Sequence, residues 1–261
     1  MVMQAVLPSN PFGSSQALAN SSYGAFRDGK LVRPLGGTPS GVEEFVHDSF
    51  RALVLNPRFA CVAAKSAIHL GNYRIGNYAE MGAQPSMEGV AHDLYEFVQE
   101  QPWFDGFSTF VATFNAPATG DELAFERRLW ASLQRLHLID HAHHGWDPSV
   151  SSDPDSKDFS FSFAGRAFFL VGLHPGSSRF TRRFAFPTLV FNAHTQFEKL
   201  REAGKFERVQ DVIRNRDKAL QGDLNRNLAD YGEASEARQY SGRAVEKEWR
   251  CPFRHANGQT P

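Results

Sequence analysis

The sequence predicts an α+β fold: a single domain with a mainly antiparallel sheet flanked by helices and a long C-terminal tail docked onto the body. Three observations carry this expectation. Helical patterns come first, a short strand and another helix follow, then three strand-like runs cluster before two more helices. The runs Phe159–Phe163 and Ala167–Leu173 are joined across Gly165-Arg166, which suits the tight turn of an antiparallel hairpin. No internal repeat or linker divides the 261 residues, a length that one large domain can use.

Taken in order, residues 1–22 are Ser-, Asn- and Pro-containing and weakly patterned, and are expected to form a loose arm before a domain over 23–254. From Ser40 to Leu55, apolar residues at Val42, Phe45, Val46, Phe50, Leu53 and Val54 have helical spacing. Ser40 and Glu43 stand three apart, as a capping box requires. Arg58–Leu70 reads as a second helix ended by Gly71, and Pro85–Gln101 as a third with Ser86 as its cap. Phe107–Asn115 is a short run of β-branched and aromatic residues closed by Pro117, hence a buried strand. Thr119–His137 is an amphipathic helix with Leu123, Phe125, Leu129, Trp130, Leu133 and Leu136 on its apolar side. Asp147–Asp158 is an Asp/Ser/Pro-rich surface loop. Phe186–Phe191 is the last strand, and Thr195–Ala203 and Phe206–Leu220 are helices parted by Gly204. Beyond Gln221 the chain is polar and irregular, and Tyr240, Trp249 and Phe253 are expected to dock it. Residues 255–261 are read as a flexible end.

Composition narrows the function classes. A net charge of -1 argues against a general nucleic-acid binder. With 23 Phe, the chain can build an aromatic core or line a flat apolar pocket. Two cysteines far apart are not a disulfide scaffold. No apolar run reaches membrane-span length, and the N-terminus lacks the charged and apolar regions of a signal peptide. These features predict a cytoplasmic protein with free thiols. Walker, GxGxxG, GxSxG and HExxH patterns are absent.

The densest chemistry lies between Gly172 and Phe197. One apolar run ends on His174-Pro175; Ser177, Ser178, Arg179, Arg182 and Arg183 follow; a second run ends on Asn192 and His194. Three guanidinium groups cannot all be buried without anionic partners, and their fork geometry suits carboxylates or phosphates. An anionic cofactor with a metal centre would use both the arginines and an imidazole, as a porphyrin with two propionates does. If the two runs pair, His174 and His194 lie at opposite ends, roughly 20 Å apart at about 3.3 Å per residue, and do not share a site. Cys251, in Trp249-Arg250-Cys251-Pro252-Phe253, is either a buried structural thiol or a thiolate presented to iron, whereas Cys61 reads as core. His137, His141, His143 and His144 tempt as a metal site, with His137 and His141 at i, i+4. A helix C-terminus favouring protonated histidine is the simpler account. Asn192, Gln196 and Glu198 offer polar groups to a substrate, and Asp217, Glu233 and Glu236 offer carboxylates to a cationic one.

The segments HPGSSRFTRRF, FNAHTQFEKLR, IRNRDKALQG, EARQYSGR and WRCPF, in this order, resemble the YqcI/YcgG family over roughly residues 40 to 254. Asn225-Arg226 departs from the Asn-Pro associated with that position, which affects a turn rather than chemistry. Members include the heme-dependent arginine N-hydroxylase of D-cycloserine biosynthesis and the N-hydroxylase of guanitoxin biosynthesis. The resemblance therefore implies heme b, dioxygen or peroxide, an external electron donor, and a guanidine substrate such as arginine or a metabolite derived from it. On that implication Ser178, Arg179, Arg182 and Arg183 hold the cofactor. His174 is the first choice of axial ligand, with Cys251 and His194 as alternatives. Glu236 and Tyr240, with Asn192, receive the guanidinium, which calls for a carboxylate and an aromatic face. A non-catalytic heme sensor or carrier is the competing reading, and an exposed antiparallel edge would allow a homodimer.

Overall fold

The computed structural model describes residues 9–118, 120–223 and 234–256. Glu233 and the Asn225-Arg226 step lie outside them. The described residues form one mixed α+β unit in which a seven-stranded sheet is flanked by eight helices.

Residues 9–22, expected as part of a loose arm, are instead fixed to the body. Ser14 caps a short helix, α1 (Ser15–Asn20), by accepting from the Ala17 amide. The cause is a buried carboxylate. Asp93 is 0% exposed, and an ionised carboxylate there needs donors. It takes them from the Ser21 hydroxyl (2.6 Å), the Ser22 amide (2.7 Å) and the Tyr78 hydroxyl (2.8 Å). Next come β1 (Gly24–Arg27) and β2 (Lys30–Val32), a hairpin whose turn residues Asp28 and Gly29 both have positive φ, at 51° and 78°.

Helix α2 (Gly41–Leu55) carries the expected capping box between Ser40 and Glu43. Helix α3 (Val62–Leu70) ends on left-handed Gly71, as expected. It begins after Cys61 rather than at Arg58, because the Cys61 sulfur accepts from the Ala64 amide at 3.4 Å and caps it. Strand β3 (Tyr73–Glu80) was not anticipated. Its Gly76-Asn77 centre reads as a turn, yet it pairs parallel with β4 (Thr109–Ala116) from Tyr73↔Thr109 to Glu80↔Ala116. Helix α4 (Gln84–Glu100) connects the two. Ser86 does not cap it; its hydroxyl instead accepts from the Glu80 amide at 3.1 Å. Helix α5 (Glu122–His141), capped by Asp121, runs four residues past His137.

Strands β5 (Phe161–Phe163), β6 (Arg166–Leu173) and β7 (Thr188–Ala193) form an antiparallel meander, followed by α6 (Thr195–Glu202), α7 (Phe206–Gln221) and α8 (Ala237–Tyr240). The strand order is β2-β1-β3-β4-β7-β6-β5, and β3–β4 is its one parallel pair. Strand alternation divides the core in two. Phe110, Phe114, Phe168, Leu170 and Phe191 pack toward α4, α5 and the tail, whereas Val111, Leu173 and Val190 pack toward α2 and α3. Tyr240, Trp249 and Phe253 do dock the tail: Tyr240 and Trp249 lie against Trp130, and Phe253 against Phe159 and Phe161.

Sheet and helix approach closely at Gly172. A β-carbon there would meet the Phe125 ring at 2.6 Å and Leu129 at 2.9 Å. Gly172→Ala is expected to destabilise the fold by about 1–3 kcal/mol through overpacking, read as a lowered urea midpoint.

Candidate functional site

The β6–β7 register decides which residues of the 172–197 segment meet. Phe168 pairs with Ala193 and Leu173 with Thr188, so His174 and His194 stand at opposite ends of the strand pair. Alternation then sends Phe169, Val171 and Asn192 to one face. There, under α3, α6 and α7, lies a cavity of about 300 Å³. Its walls are apolar and largely aromatic: Phe59, Phe107, Phe169, Phe197, Phe206, Leu200, Val209 and Ile213. Its polar groups include Arg179, Arg182, Arg214, Asp217, Asn192, Gln196, Gln210 and Gln239 with the hydroxyl residues Ser108, Thr109 and Thr181, and one thiol, Cys61, faces it. This volume and this mix of apolar wall with a few polar groups suit a small-molecule or cofactor site.

The arginines behave differently from one another. Arg179 is buried and ion-paired: its guanidinium meets Asp217 on α7, and at 2.5 Å Asp223 just beyond it. It joins the arginine loop to the helix that roofs the cavity. Arg182 donates to the carbonyls of Tyr240 (3.0 Å) and Gly172 (3.4 Å). Burial lowers its pKa to about 10 against the pull of Asp217, with Arg179 adding repulsion, so at pH 7 it is still a cation. Arg183 is exposed, donates to the Ser177 carbonyl at 2.6 Å and lies over the Phe180 ring, away from the cavity. Ser178 is likewise outside the lining; its amide and hydroxyl donate to Glu122 on α5 at 2.9 and 2.8 Å.

None of the three ligand candidates read from the sequence lines the cavity. His174 is fully buried on the α5 side, stacked on Phe125 with ring centres 4.3 Å apart. Cys251 is sealed in the tail's core, and burial raises its thiol pKa to about 12. His194 opens α6, its ring 3.6 Å from both Glu198 and Glu236. Glu236 is thereby engaged, and it also accepts from the Ser160 hydroxyl at 2.9 Å. Tyr240 is a core residue whose hydroxyl accepts from the Phe161 amide and donates to the Phe168 carbonyl. Of the substrate residues expected from the sequence, Asn192, Gln196 and Asp217 reach the cavity, and the Asn192 amide donates to the Phe169 carbonyl at 3.2 Å. Asp217, weighed as one of three carboxylates, is the one carboxylate in the described lining.

The group that the sequence reading missed is Cys61. It stands at the N-cap of α3, where backbone N–H groups and the helix dipole favour a thiolate, although burial raises its pKa. The signal was present in Pro57-Arg58-Phe59-Ala60, a break that leaves the cysteine at a helix start rather than inside a helix.

Comparison with known proteins agrees with the motifs. The model of the YqcI/YcgG family matches residues 50–254. The chain belongs to the YqcI/YcgG family. The matched span holds β3 to β7, the last six residues of α2, all later helices and every residue of the cavity lining. A relative described as "Uncharacterized protein YcgG", from Bacillus subtilis strain 168, is 27% identical over 205 residues, covering 75% of this chain and 80% of that protein. No solved structure matches significantly. No described helix is long and apolar enough to cross a membrane.

His194 yields a pH prediction. Burial pushes its pKa down, but the hydrogen bond and charge of Glu236, with Glu198, raise it above the ordinary value. A raised folded-state pKa contributes stability that is fully present below the unfolded value, near 6.5, and is lost as pH rises through the folded one. Glu236→Gln is expected to cost about 1–3 kcal/mol near pH 6. Its difference from wild type should shrink toward pH 8.5 in urea unfolding series.

Proposed function

We propose that the chain is a heme-dependent N-oxygenase acting on the guanidine of arginine or of an arginine-derived metabolite. One observation carries the reading: a thiol at a helix N-terminus faces an apolar, aromatic-walled cavity that also carries buried guanidinium and carboxylate groups. The donor set fits heme b. Phe59, Phe169, Phe197 and Phe206 suit a flat macrocycle, and Cys61 suits an axial position. Arg182 suits a propionate better than Arg179 does, since Arg182 hydrogen-bonds only to carbonyls among the described residues while Arg179 is met by two aspartates. The axial assignment accordingly moves from His174, Cys251 and His194 to Cys61.

When bound, heme supplies the activated oxygen that hydroxylation of a guanidine nitrogen needs, from dioxygen with an external electron donor or from peroxide. The chain's own residues supply the rest. Asp217 offers a carboxylate to a substrate guanidinium, and it already accepts from one guanidinium nitrogen of Arg179. Asn192, Gln196 and Gln239 supply neutral hydrogen-bonding groups at the sheet side and at α8. The phenylalanine walls exclude water, which strengthens each polar contact inside. A guanidinium must give up a proton before its nitrogen can be oxidised, and Asp217 is the carboxylate of the described lining suited to accept it.

The test is spectroscopic. The purified chain supplied with hemin should take up one equivalent and give a ferrous–CO Soret band in the red-shifted position of thiolate ligation. Cys61→Ala should abolish that band, and Cys251→Ala should leave it intact. An imidazole-type band unchanged in Cys61→Ala would sink the ligand assignment, and no hemin uptake would remove the function. In turnover with a guanidine, Asp217→Asn is expected to raise KM at least tenfold while retaining heme. An unchanged KM would move the substrate carboxylate elsewhere.

A further inference from the structure

Three imidazoles meet at the C-terminal end of α5, on the opposite face of the sheet from the cavity. His137 and His141 lie one turn apart on that helix, and the docked tail brings His255 beside them. One ligand nitrogen from each lies within 4.8 Å of the other two. Ring centres are 5.4 Å apart for His137–His141, 5.0 Å for His137–His255 and 5.9 Å for His141–His255. His137 is buried, while His141 and His255 are half-buried and reach solvent.

The surroundings hold the three rings in position. Trp146 lies 5.5 Å from His137 and 5.3 Å from His255, and Phe253 lies 5.2 Å from His137. Gln134 on α5 grips the tail from both sides: its amide donates to the Arg254 carbonyl at 2.9 Å, and its oxygen accepts from the Arg254 amide at 2.8 Å. His255 is therefore delivered by an anchored segment. The Ala256 amide donates to His137 Nε2 at 2.9 Å, so that nitrogen carries a lone pair and the ring is neutral, the form a metal binds. Protonating a cluster this tight would set like charges about 5 Å apart. The helix-dipole account of these histidines explains a cation at a helix end; it does not explain a third imidazole returned from the tail.

We propose that His137, His141 and His255 bind a divalent late first-row transition metal of the zinc type. The metal pins the C-terminal tail to α5 and leaves one coordination position to solvent. Metal–nitrogen bonds of about 2.0–2.1 Å in a tetrahedron put ligand nitrogens roughly 3.4 Å apart. Contraction from 4.8 Å is within reach of side-chain rotation by the half-exposed His141 and His255. Three neutral nitrogen donors favour zinc, cobalt, nickel or copper over magnesium or calcium. In the neutral ring whose Nε2 accepts from Ala256 the proton sits on Nδ1, so the metal takes Nε2 in place of the Ala256 amide.

The test uses the full chain stripped with a chelator and titrated with Co²⁺ and then Zn²⁺. The expected result is one Co²⁺ per chain with the visible d–d bands of a tetrahedral nitrogen site, displaced by Zn²⁺. A Zn²⁺-dependent rise in thermal midpoint should accompany it. His141→Ala and His255→Ala, both at half-exposed positions, should each weaken binding at least tenfold and lose the rise. His143→Ala, exposed and outside the triad, should bind as wild type. Absence of the bands, or equal binding in His141→Ala and His255→Ala, would overturn the proposal. The readout is independent of whether the cavity takes heme.

Discussion

The register between β6 and β7 is the constraint on which the rest depends. Side chains alternate along a strand, so fixing Leu173 opposite Thr188 fixes the face of every residue in both strands. Phe168, Leu170 and Phe191 go to the α4–α5 core, and Phe169, Val171 and Asn192 go to the cavity. A slip of one residue would empty one core and fill the other. Gly172 adds a steric lock, since only a residue without a β-carbon lets β6 approach Phe125 and Leu129 at that register. The same alternation sends His174 to the α5 side, while Arg179 and Arg182 in the loop that follows turn back toward the cavity.

What closes the cavity is electrostatic. Helices α6 and α7 are amphipathic and polar outside, and they reach the body through few large apolar contacts. The Arg179–Asp217 pair, extended by Asp223, ties the arginine loop to the end of α7. Buried ion pairs add little to stability beyond their desolvation cost, but removing one partner is costly. Arg179 is thus better read as the latch of the roof than as a ligand for a cofactor anion, and this leaves Arg182 as the cation with carbonyl partners only. The aspartate that latches the roof is also the one carboxylate that faces the cavity, so roof position and substrate binding act through one side chain.

The fold was legible where local chemistry and tertiary context agree. The Ser40–Glu43 box, Gly71 as a stop and the β5–β6 turn are local signals that the tertiary structure keeps. Strand β3 was not legible, because Gly76 and Asn77 carry turn propensity. Their place in the sheet is set by parallel pairing with β4, and the Thr113 hydroxyl donates to the Gly76 carbonyl at 2.9 Å. Residues 9–22 were misread for a similar reason: their hydroxyls and amides are polar, and the Asp93 carboxylate they satisfy lies more than seventy residues away. At the site, the clustering of arginines pointed to the right loop but not to the right partners. Motif order cannot say that Glu236 is held by His194 and Ser160, or that Tyr240 is turned into the core. His255 shows the same limit, since a tail histidine meets α5 only through the tail's path.

The cavity itself is the strongest physical argument for a bound molecule. Apolar surface left uncovered along a cavity of about 300 Å³ is a cost to the fold that a bound molecule would remove. Filling it would take little change. The lining has alanines at 60, 63, 64 and 67, on or next to α3, where larger apolar residues would close the space. Small residues along one wall face aromatic and aliphatic side chains on the others. On the function proposed above, a flat apolar group with a few charged substituents would use both the apolar walls and the polar side chains of this lining. The thiol at the end of the alanine-lined helix then stands where such a group would need a ligand.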